Sequence, residues 1–556
     1  MKNIYSIGID FGSNAVRVLV LNIMSGEVLA SSSMGYSRAN EGVYTSSKDV
    51  DIARQDVDDY IESLIKAFAI LKEHVSLKGF NWGSVVGIGV DATGSTPIPI
   101  TEQMIPLSNI PQFKDNLNAK AWMWKDHTSE DEAQQITRLA KEIRPSYLQR
   151  CGGKYSSEWF WAKVLHCANV DPEVYNAAFT WVEFSDYIPA LLTGTSHAKH
   201  IKRNKCAAGH KALFNDMWGG YPDNEFLAQL NPDLLKVRES LPQKTYAIDH
   251  VAGYLSPVWA DKFGLCEGIP VAMGALDAHV GAIGSGVNKN TLVKIIGTSS
   301  CDIIVGNNSA QDIQGVSGVA DDSVLPGYLG IEAGQSAVGD LFKWFVVELL
   351  GEEESMHTQL VSSANGLKPG ESGLMALDWN NGNRDVLSDS NLRGLIIGQS
   401  LHTKDYEVYR ALIEATAFGA KRIIDQLEKG GVAIDRIICC GGIPQKNSLL
   451  MQIYADVLNR PVFIAESNET VAVGAAMSGA LAYSEISNKD FSLDDLQKLC
   501  CKVSEVKYEP IDLNVHSYEK LYEIYLQLHD AFGTMDGNVN LYGVMKQLIQ
   551  IKNSIF

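Results

Sequence analysis

Two glycine-containing hairpin motifs, one in each half of the chain, constrain the fold more than any other feature. In the first, the apolar strand of Ile7–Ser13 ends in a small-residue turn, and a second strand follows at Val16–Leu21. The segment Ile295–Ser300 repeats this plan before a strand at Asp302–Val305. Glycine lets the backbone come close to a bound group, and exposed N–H donors at such turns suit phosphate oxygens. The repeat predicts two related domains that hold a nucleotide between them.

Length and composition limit the possible classes of protein. A chain of 556 residues requires at least two domains. A net charge of −19 argues against a general nucleic-acid binder, and no apolar run approaches the roughly 20 residues that span a membrane. The nine cysteines form no Cys-x-x-Cys pair, which predicts reduced thiols. The N-terminus also runs straight into a strand without a leader pattern, so we expect a cytoplasmic protein.

Strands and helices alternate along the chain, which is typical of an α/β fold with mixed sheets. A continuous apolar strand ends at Asp91, and the small polar turn Ala92–Pro97 follows it. In the second half, the pattern predicts a helix over Asp405–Leu427, a buried strand over Ile437–Cys440, a turn at Gly441 and Gly442, a helix over Asn447–Leu458 and a strand over Val462–Ala465. A final helix over Val471–Tyr483 is rich in Ala and Gly, which predicts close packing against its neighbours.

The commonest nucleotide-binding signatures are absent. The sequence has neither Gly-x-x-x-x-Gly-Lys-Ser/Thr nor a Gly-x-Gly-x-x-Gly after the first strand. The two hairpins and the Gly441-Gly442 turn together resemble the actin-like ATPase fold. They therefore favour ATP as the nucleotide, although the glycine pair alone is more typical of an ordinary strand-to-helix turn.

Two aspartates carry the chemistry that the pattern predicts. Asp10 ends a buried strand beside the first turn, where a carboxylate can hold Mg²⁺ through water, although an aspartate can also cap its own turn. Asp277 follows an apolar strand and opens onto small residues, so it can accept the proton of an attacking hydroxyl. His279 is interpreted as a packing or orienting residue.

Longer motifs show that the chain resembles the FGGY carbohydrate kinases over nearly all of its length. These uncommon segments are Gly87–Pro97, Trp124–His127, Ser156–Lys163, Cys206–Lys211, Gly330–Ser336 and Leu377–Gly382. The resemblance implies two actin-like (ribonuclease H-like) ATPase domains flanking a cleft, with residues 1–287 mainly sugar-binding and residues 288–556 mainly ATP-binding. It also implies ATP-dependent phosphorylation of a ketopentose, L-ribulose at its 5-hydroxyl, in arabinose catabolism. A homodimer is compatible with it.

The resemblance also assigns roles to individual residues. It implies that Asp277 is the catalytic base and that Asp10 lies on the metal and phosphate side. The residues implied to surround the ketose are Gly94, Lys211, Asp277 and Glu332. Those implied to contact the nucleotide are Gly12, Ser13, Gly297, Thr298, Gly339, Lys343, Gly441, Gly442 and Asn447. The chain departs from the family pattern at Gln399, where an aliphatic residue is usual, and at Leu412, which is large for its position.

Each assignment has a structural alternative. Lys211 can be a surface lysine at the end of a loop, Glu332 can form a structural salt bridge, and Asp91 can cap the turn that follows it. Trp124 and Lys125 can brace the insertion without touching a ligand. For the whole chain, the alternatives are a kinase for another ketopentose or polyol, such as D-ribulose or xylulose, and a non-catalytic ATPase of the actin fold.

Overall fold

The computed structural model describes residues 3–76, 78, 80–307, 313–487, 489, 491–534 and 544–555. The chain divides into two compact units whose segments alternate along the sequence. The first comprises Met1–Gly286, Gly318–Ile331 and Glu469–Lys502, and the second comprises Val287–Ser317, Glu332–Asn468 and Val503–Phe556. The predicted boundary between residues 287 and 288 lies next to the observed one, where the first unit ends at Gly286 and the second begins at Val287. The sequence did not indicate that two later segments also belong to the first unit.

The first unit is built on a sheet that contains the first hairpin. Its strands run in the order Val251–Tyr254, Pro270–Ala272, Val85–Ala92, Tyr5–Phe11, Ala15–Asn22 and Val28–Gly35, and Ala275–Leu276 also pairs with Val85–Ala92. Strand Tyr5–Phe11 is antiparallel to Ala15–Asn22 and parallel to Val85–Ala92. The hairpin therefore lies directly beside the strand that ends at Asp91.

Helices cover both faces of this sheet because side chains alternate along each strand. Ile7 and Ile9 share a buried cluster with Tyr60 and Leu64 of helix Val57–Ser76. Glycines face the other side, where helix Thr470–Ile486 packs. A Cβ atom at Gly89 would lie only 1.7 Å from the carbonyl oxygen of Ala475. The predicted close packing of the Ala- and Gly-rich helix is thus confirmed.

A second, Trp-rich core lies in the helical insertion of the first unit. Trp122, Trp159, Trp161 and Trp181 belong to one buried cluster. The further helices of this unit are Glu130–Ile143, Ser146–Gln149, Phe160–Val170, Pro172–Ala177, Phe184–Leu192, Lys205–Lys211, Asn224–Leu230, Leu234–Ser240, Pro257–Phe263, Asp277–Ser285 and Leu493–Cys500. Its short strands are Arg54–Gln55, Pro97–Ile100, Ala121–Trp122, Thr180–Glu183, Arg203–Asn204, Thr245–Tyr246 and Gly318–Asp321.

The second unit repeats the hairpin arrangement. The part of its sheet that lies in this unit begins with strand Leu329–Gln335 from Glu332 onward. It continues through Ser300–Gly306, Thr291–Ile296, Arg436–Cys440, Val462–Ala465 and Val503–Tyr508. Thr291–Ile296 is antiparallel to Ser300–Gly306 and parallel to Arg436–Cys440. The first hairpin has the same arrangement, since its first strand is antiparallel to the second and parallel to Val85–Ala92. The predicted duplication is therefore present in the backbone.

The helices of the second unit agree closely with the sequence pattern. They are Gly339–Lys343, Met356–Asn365, Asp405–Lys429, Ser448–Leu458, Asp512–Gly533 and Val544–Ile555, and a π-helical turn covers Trp344–Leu349. A small sheet pairs Met375–Leu377 with Leu395–Ile397. The mixed α/β class is confirmed in both units. Within the ranges that the structure describes, no helix combines the length and apolar composition that a membrane span requires.

Candidate active site

The first hairpin presents a buried carboxylate beside its turn. The carboxyl group of Asp10 lies near the end of strand Tyr5–Phe11, and Arg17, its cross-strand partner, donates from Nη1 to Oδ2 over 3.2 Å. Burial raises the pKa of Asp10, and the charge of Arg17 opposes this rise. The arginine therefore favours the ionised form of a group that burial alone would keep neutral.

Asp91 lies next to Asp10 because two parallel strands are in register. The Cα atoms of Asp10 and Asp91 are paired across the ladder. Burial first, and then the charges of Asp10 and Asp277, raise the pKa of Asp91 well above its usual range. Leu276 pairs with Ala92, the residue after Asp91, so Asp277 follows at the same edge of the sheet. Three aspartates therefore meet where three strands end.

The alternative interpretation of Asp91 as a turn cap is wrong. Both of its carboxyl oxygens are buried, and no described residue donates a hydrogen bond to either of them. A capping aspartate would accept a backbone N–H from the following turn. Asp91 belongs to the acidic group formed by these three aspartates, and our sequence-based assignment did not include it. The signal in the sequence was its position at the end of an apolar strand, which is also the position of Asp10.

Gly94 contacts Leu276, the residue that precedes Asp277. Asp277 is the first residue of helix Asp277–Ser285, and its Oδ1 accepts from the backbone N–H of Ala278 over 2.7 Å. A Cβ atom at Gly94 would lie 2.1 Å from Cδ2 of Leu276. Any side chain at position 94 would therefore displace the residue that precedes Asp277.

Buried polar groups fix the loop that carries Gly94. Glu183 accepts from the hydroxyl of Ser95 and, over 2.9 Å, from the backbone N–H of Thr96. The ammonium group of Lys163 donates to the carbonyl oxygens of Ser95 and Met123 over 2.9 and 2.8 Å. Burial lowers the pKa of Lys163 to about 7 and raises that of Glu183. These bonds fix the backbone that directly follows Gly94.

Lys211 is not a surface lysine, so that alternative is wrong. It is only 6% exposed and lies at the end of helix Lys205–Lys211. Its Nζ is 5.6 Å from the ring centre of Trp159, and Tyr155 donates to its backbone carbonyl over 2.6 Å. The helix packs against strand Ala275–Leu276. This packing brings the segment that carries Lys211 to the strand that precedes Asp277.

The turn of the first hairpin is held by side chains from other elements. Tyr36 donates to the carbonyl oxygen of Gly12 over 3.1 Å, and Gln55 donates to that of Ser13 over 2.8 Å. The indole N–H of Trp124 donates to the hydroxyl of Ser13 over 3.0 Å. These bonds fix the turn through two of its carbonyl oxygens and the hydroxyl of Ser13.

In the second unit, three glycine-containing segments converge at one edge of the sheet. Gly297 and Thr298 form the exposed turn of the second hairpin. The backbone N–H of Gly339 donates to the carbonyl oxygen of Gly297 over 3.0 Å. Gly441 has a φ of +101°, which favours glycine, and a Cβ there would lie 2.4 Å from the carbonyl oxygen of Ile296. Gly441 and Gly442 are both exposed and follow strand Arg436–Cys440.

The other three predicted residues of this unit lie in different surroundings. Lys343 is exposed on helix Gly339–Lys343, with Nζ 3.7 Å from Oε1 of Glu354. Asn447 is the N-cap of helix Ser448–Leu458, and its Oδ1 accepts from the N–H of Leu450 over 3.0 Å. Glu332 is buried within strand Leu329–Gln335.

The chain belongs to the FGGY family of carbohydrate kinases. Residues 5–284 match the N-terminal domain of that family, and residues 292–483 match its C-terminal domain. These two matches cover most of the chain, and each contains one of the two hairpins.

Curated relatives extend the similarity to the whole sequence. A ribulokinase of Halalkalibacterium halodurans is 39% identical over 570 aligned positions, which cover 100% of this chain and 98% of the relative. A ribulokinase of Anoxybacillus flavithermus is 40% identical over 550 positions, which cover 96% of each protein.

Solved structures of sugar kinases share the fold. A xylulose kinase from Rhodospirillum rubrum matches with a TM-score of 0.77 at 22% identity and covers 95% of this chain and 98% of its own. A glycerol kinase from Plasmodium falciparum, solved with ADP, matches with a TM-score of 0.74 at 16% identity and covers 96% of this chain and 98% of its own. The predicted actin-like fold class is therefore confirmed.

Proposed function

We propose that the protein transfers the γ-phosphoryl group of ATP to the 5-hydroxyl of L-ribulose and forms L-ribulose 5-phosphate, as arabinose catabolism requires. The observation that carries this proposal is the end-to-end similarity to curated ribulokinases. The geometry of the first unit is consistent with it, since Gly94 and the helix that carries Lys211 both contact the strand that precedes Asp277. We expect the reaction to occur in the cytoplasm.

Asp277 is proposed as the base that accepts the proton of the attacking hydroxyl. Phosphoryl transfer depends mainly on positioning and on electrostatic stabilisation of the phosphoryl oxygens. Asp10 would hold Mg²⁺, which neutralises charge on the phosphates when it is bound. The carboxyl of Asp10 fits this role, because it lies beside the turn of the first hairpin and oxygen ligands suit Mg²⁺.

The sugar and the nucleotide would contact different sets of residues. Lys211 can donate to a sugar oxygen, Glu332 can accept from hydroxyl groups, and the backbone at Gly94 lets the sugar come close. The nucleotide would contact Gly12, Ser13, Gly297, Thr298, Gly339, Lys343, Gly441, Gly442 and Asn447. In support, the turns at Gly297 and Gly442 have open space where a side chain would otherwise stand. We therefore propose that residues 1–287 bind mainly sugar and that residues 288–556 bind mainly ATP.

Acceptor-dependent ADP release tests the function. The purified protein is assayed with Mg-ATP and L-ribulose, D-ribulose, L-xylulose, D-xylulose, glycerol, gluconate or no acceptor. Turnover should be highest with L-ribulose. The matched control Asp277→Asn should still bind ATP but release ADP about 10²–10⁴-fold more slowly, the usual range for loss of a general base.

Other outcomes of this assay would change the assignment. A maximum on another acceptor would retain the kinase and replace its substrate. ADP release that no acceptor increases would favour a non-catalytic ATPase of the same fold. Turnover by Asp277→Asn at the wild-type rate would remove that residue as the base.

A further inference from the structure

Two buried carboxyl groups of the first unit, those of Asp10 and Asp91, lie on neighbouring strands at the end of the first hairpin. Asp10 and Asp91 are directly paired in register, and Asp277 follows the strand that pairs with Asp91. Arg17 bonds to Asp10, with its Nη1 atom 3.2 Å from Oδ2. Its side chain is 36% exposed, so solvent screens part of its charge.

The carboxyl group of Asp91 accepts no hydrogen bond from the described residues. Its side chain is fully buried, and none of the described residues donates to either carboxyl oxygen. Buried carboxylates are ordinarily paired or hydrogen-bonded, because removing an unpaired charge from water is costly. The Cα partner of Asp91 across the parallel ladder is that of Asp10, which carries a second buried carboxyl group. Two buried carboxyl groups on paired strands form a setting that a bound cation would stabilise.

We propose that Asp91 is a second carboxylate of the divalent-cation site and shares the cation with Asp10, directly or through the waters of the cation. This inference deepens the proposed function and rests on it for the identity of the cation, Mg²⁺. Magnesium is usually bound by one or two protein carboxylates together with substrate phosphates and water. Asp10 and Asp91 supply such a pair at the end of the hairpin whose turn is predicted to meet the phosphates.

A structural role for Asp91 makes a different prediction. If Asp91 were only a protonated acid that donates to Asp10, an asparagine amide of nearly the same size could replace it. Asp91→Asn therefore preserves a structural role and removes a metal-binding one. Asp91→Ser provides a second uncharged variant with less bulk, in case the amide does not fit.

Manganese binding to the full-length, nucleotide-free protein tests the proposal without relying on activity. Mn²⁺ is titrated and the free ion is measured by electron paramagnetic resonance for wild type, Asp91→Asn, Asp91→Ser and Asp10→Asn. Wild type should bind Mn²⁺, and each variant should bind it at least about tenfold more weakly. Asp186→Asn is the matched control, since Asp186 is a buried aspartate of the same unit that accepts from Asn204. This control should bind Mn²⁺ as wild type does.

Thermal unfolding supplies an independent measurement. The Tm of wild type and that of Asp91→Asn are first measured without metal, as the reference for each protein. Saturating Mn²⁺ should raise the Tm of wild type more than that of the variant. Wild-type Mn²⁺ affinity in both Asp91 variants, or no Mn²⁺ binding by wild type, would overturn the proposal. Failure of the proposed function is a separate outcome. In that case wild type would bind Mn²⁺ in the titration but would not phosphorylate L-ribulose in the kinase assay.

Discussion

The two hairpins share one backbone arrangement, but the cross-strand ion pair of the first is partly exposed and that of the second is buried. In the first, Asp10 pairs with Arg17 through one contact of 3.2 Å, and the arginine is partly exposed. In the second, Lys294 pairs with Asp302, and both side chains are only 1% exposed. Nζ of Lys294 donates to the two carboxyl oxygens of Asp302 over 2.8 and 2.9 Å.

The second ion pair is also part of a larger buried network. Lys294 donates to Oε1 of Gln335 over 3.2 Å. Nε2 of Gln335 in turn donates to Asp378 and to the backbone carbonyl of Thr416, each over 2.8 Å. The charges of the second hairpin are thus paired inside the unit, whereas the pair of the first hairpin is one contact to a partly exposed arginine. The two copies of the hairpin therefore share a backbone but differ in how firmly side chains hold it.

Asp10→Asn should have the largest effect, and the effect should be on catalysis. Loss of the carboxylate removes a charge that would position the cation, and we expect kcat to fall by about 10²-fold or more. The free energy of unfolding should change by less than about 1 kcal/mol, because the ion pair that is lost involves a partly exposed arginine. Steady-state kinetics and urea denaturation measure the two effects. If Asp10→Asn unfolded at a much lower urea concentration but kept the wild-type kcat, the first hairpin would contribute to stability and not to catalysis.

Lys294→Met should have the next largest effect, and the effect should be on stability. It leaves Asp302 buried without its cation, which typically costs about 3–5 kcal/mol. The double variant Lys294→Met/Asp302→Leu should recover most of that loss, because no unpaired charge remains. Urea denaturation of the single and double variants measures the recovery. Equal stability of wild type and Lys294→Met would mean that the network contributes little to folding.

Arg17→Met should have the smallest effect on stability. The pair that it breaks is partly exposed, so we expect a loss of about 1 kcal/mol or less in the free energy of unfolding. Substituting Arg17 and Lys294 in separate variants therefore compares the two hairpins directly. If Arg17→Met were as destabilising as Lys294→Met, the two ion pairs would have the same role.

The order of strands and helices was predictable because periodicity is a local property of the sequence. Strand Val462–Ala465 and the start of the helix at Asp405 agree with the structure at the residue level. The sheet that a helix covers depends instead on contacts between distant segments. The Ala- and Gly-rich pattern predicted the close packing of helix Thr470–Ile486, but it could not indicate that the helix belongs to the first unit.

The residues of the candidate site were likewise predictable only where the signal was local in the sequence. Asp10 and Asp277 were recognisable because each follows an apolar strand and opens onto small residues. The importance of Asp91 depended on the parallel register that places it beside Asp10, and a single sequence does not reveal strand pairing. The burial of Lys211 depends likewise on Trp159 and on the packing of its helix.

The position of helix Thr470–Ile486 also determines the order in which the chain can fold during synthesis. This helix covers the glycine face of the first sheet, although its residues leave the ribosome long after the strands that they cover. The first unit therefore cannot complete its core until almost the entire polypeptide has been made. Domains ordinarily fold as units from the N-terminus during translation, but here the nascent chain must keep an uncovered sheet face from aggregating. Chains that stop before Thr470 should depend on chaperones and be degraded.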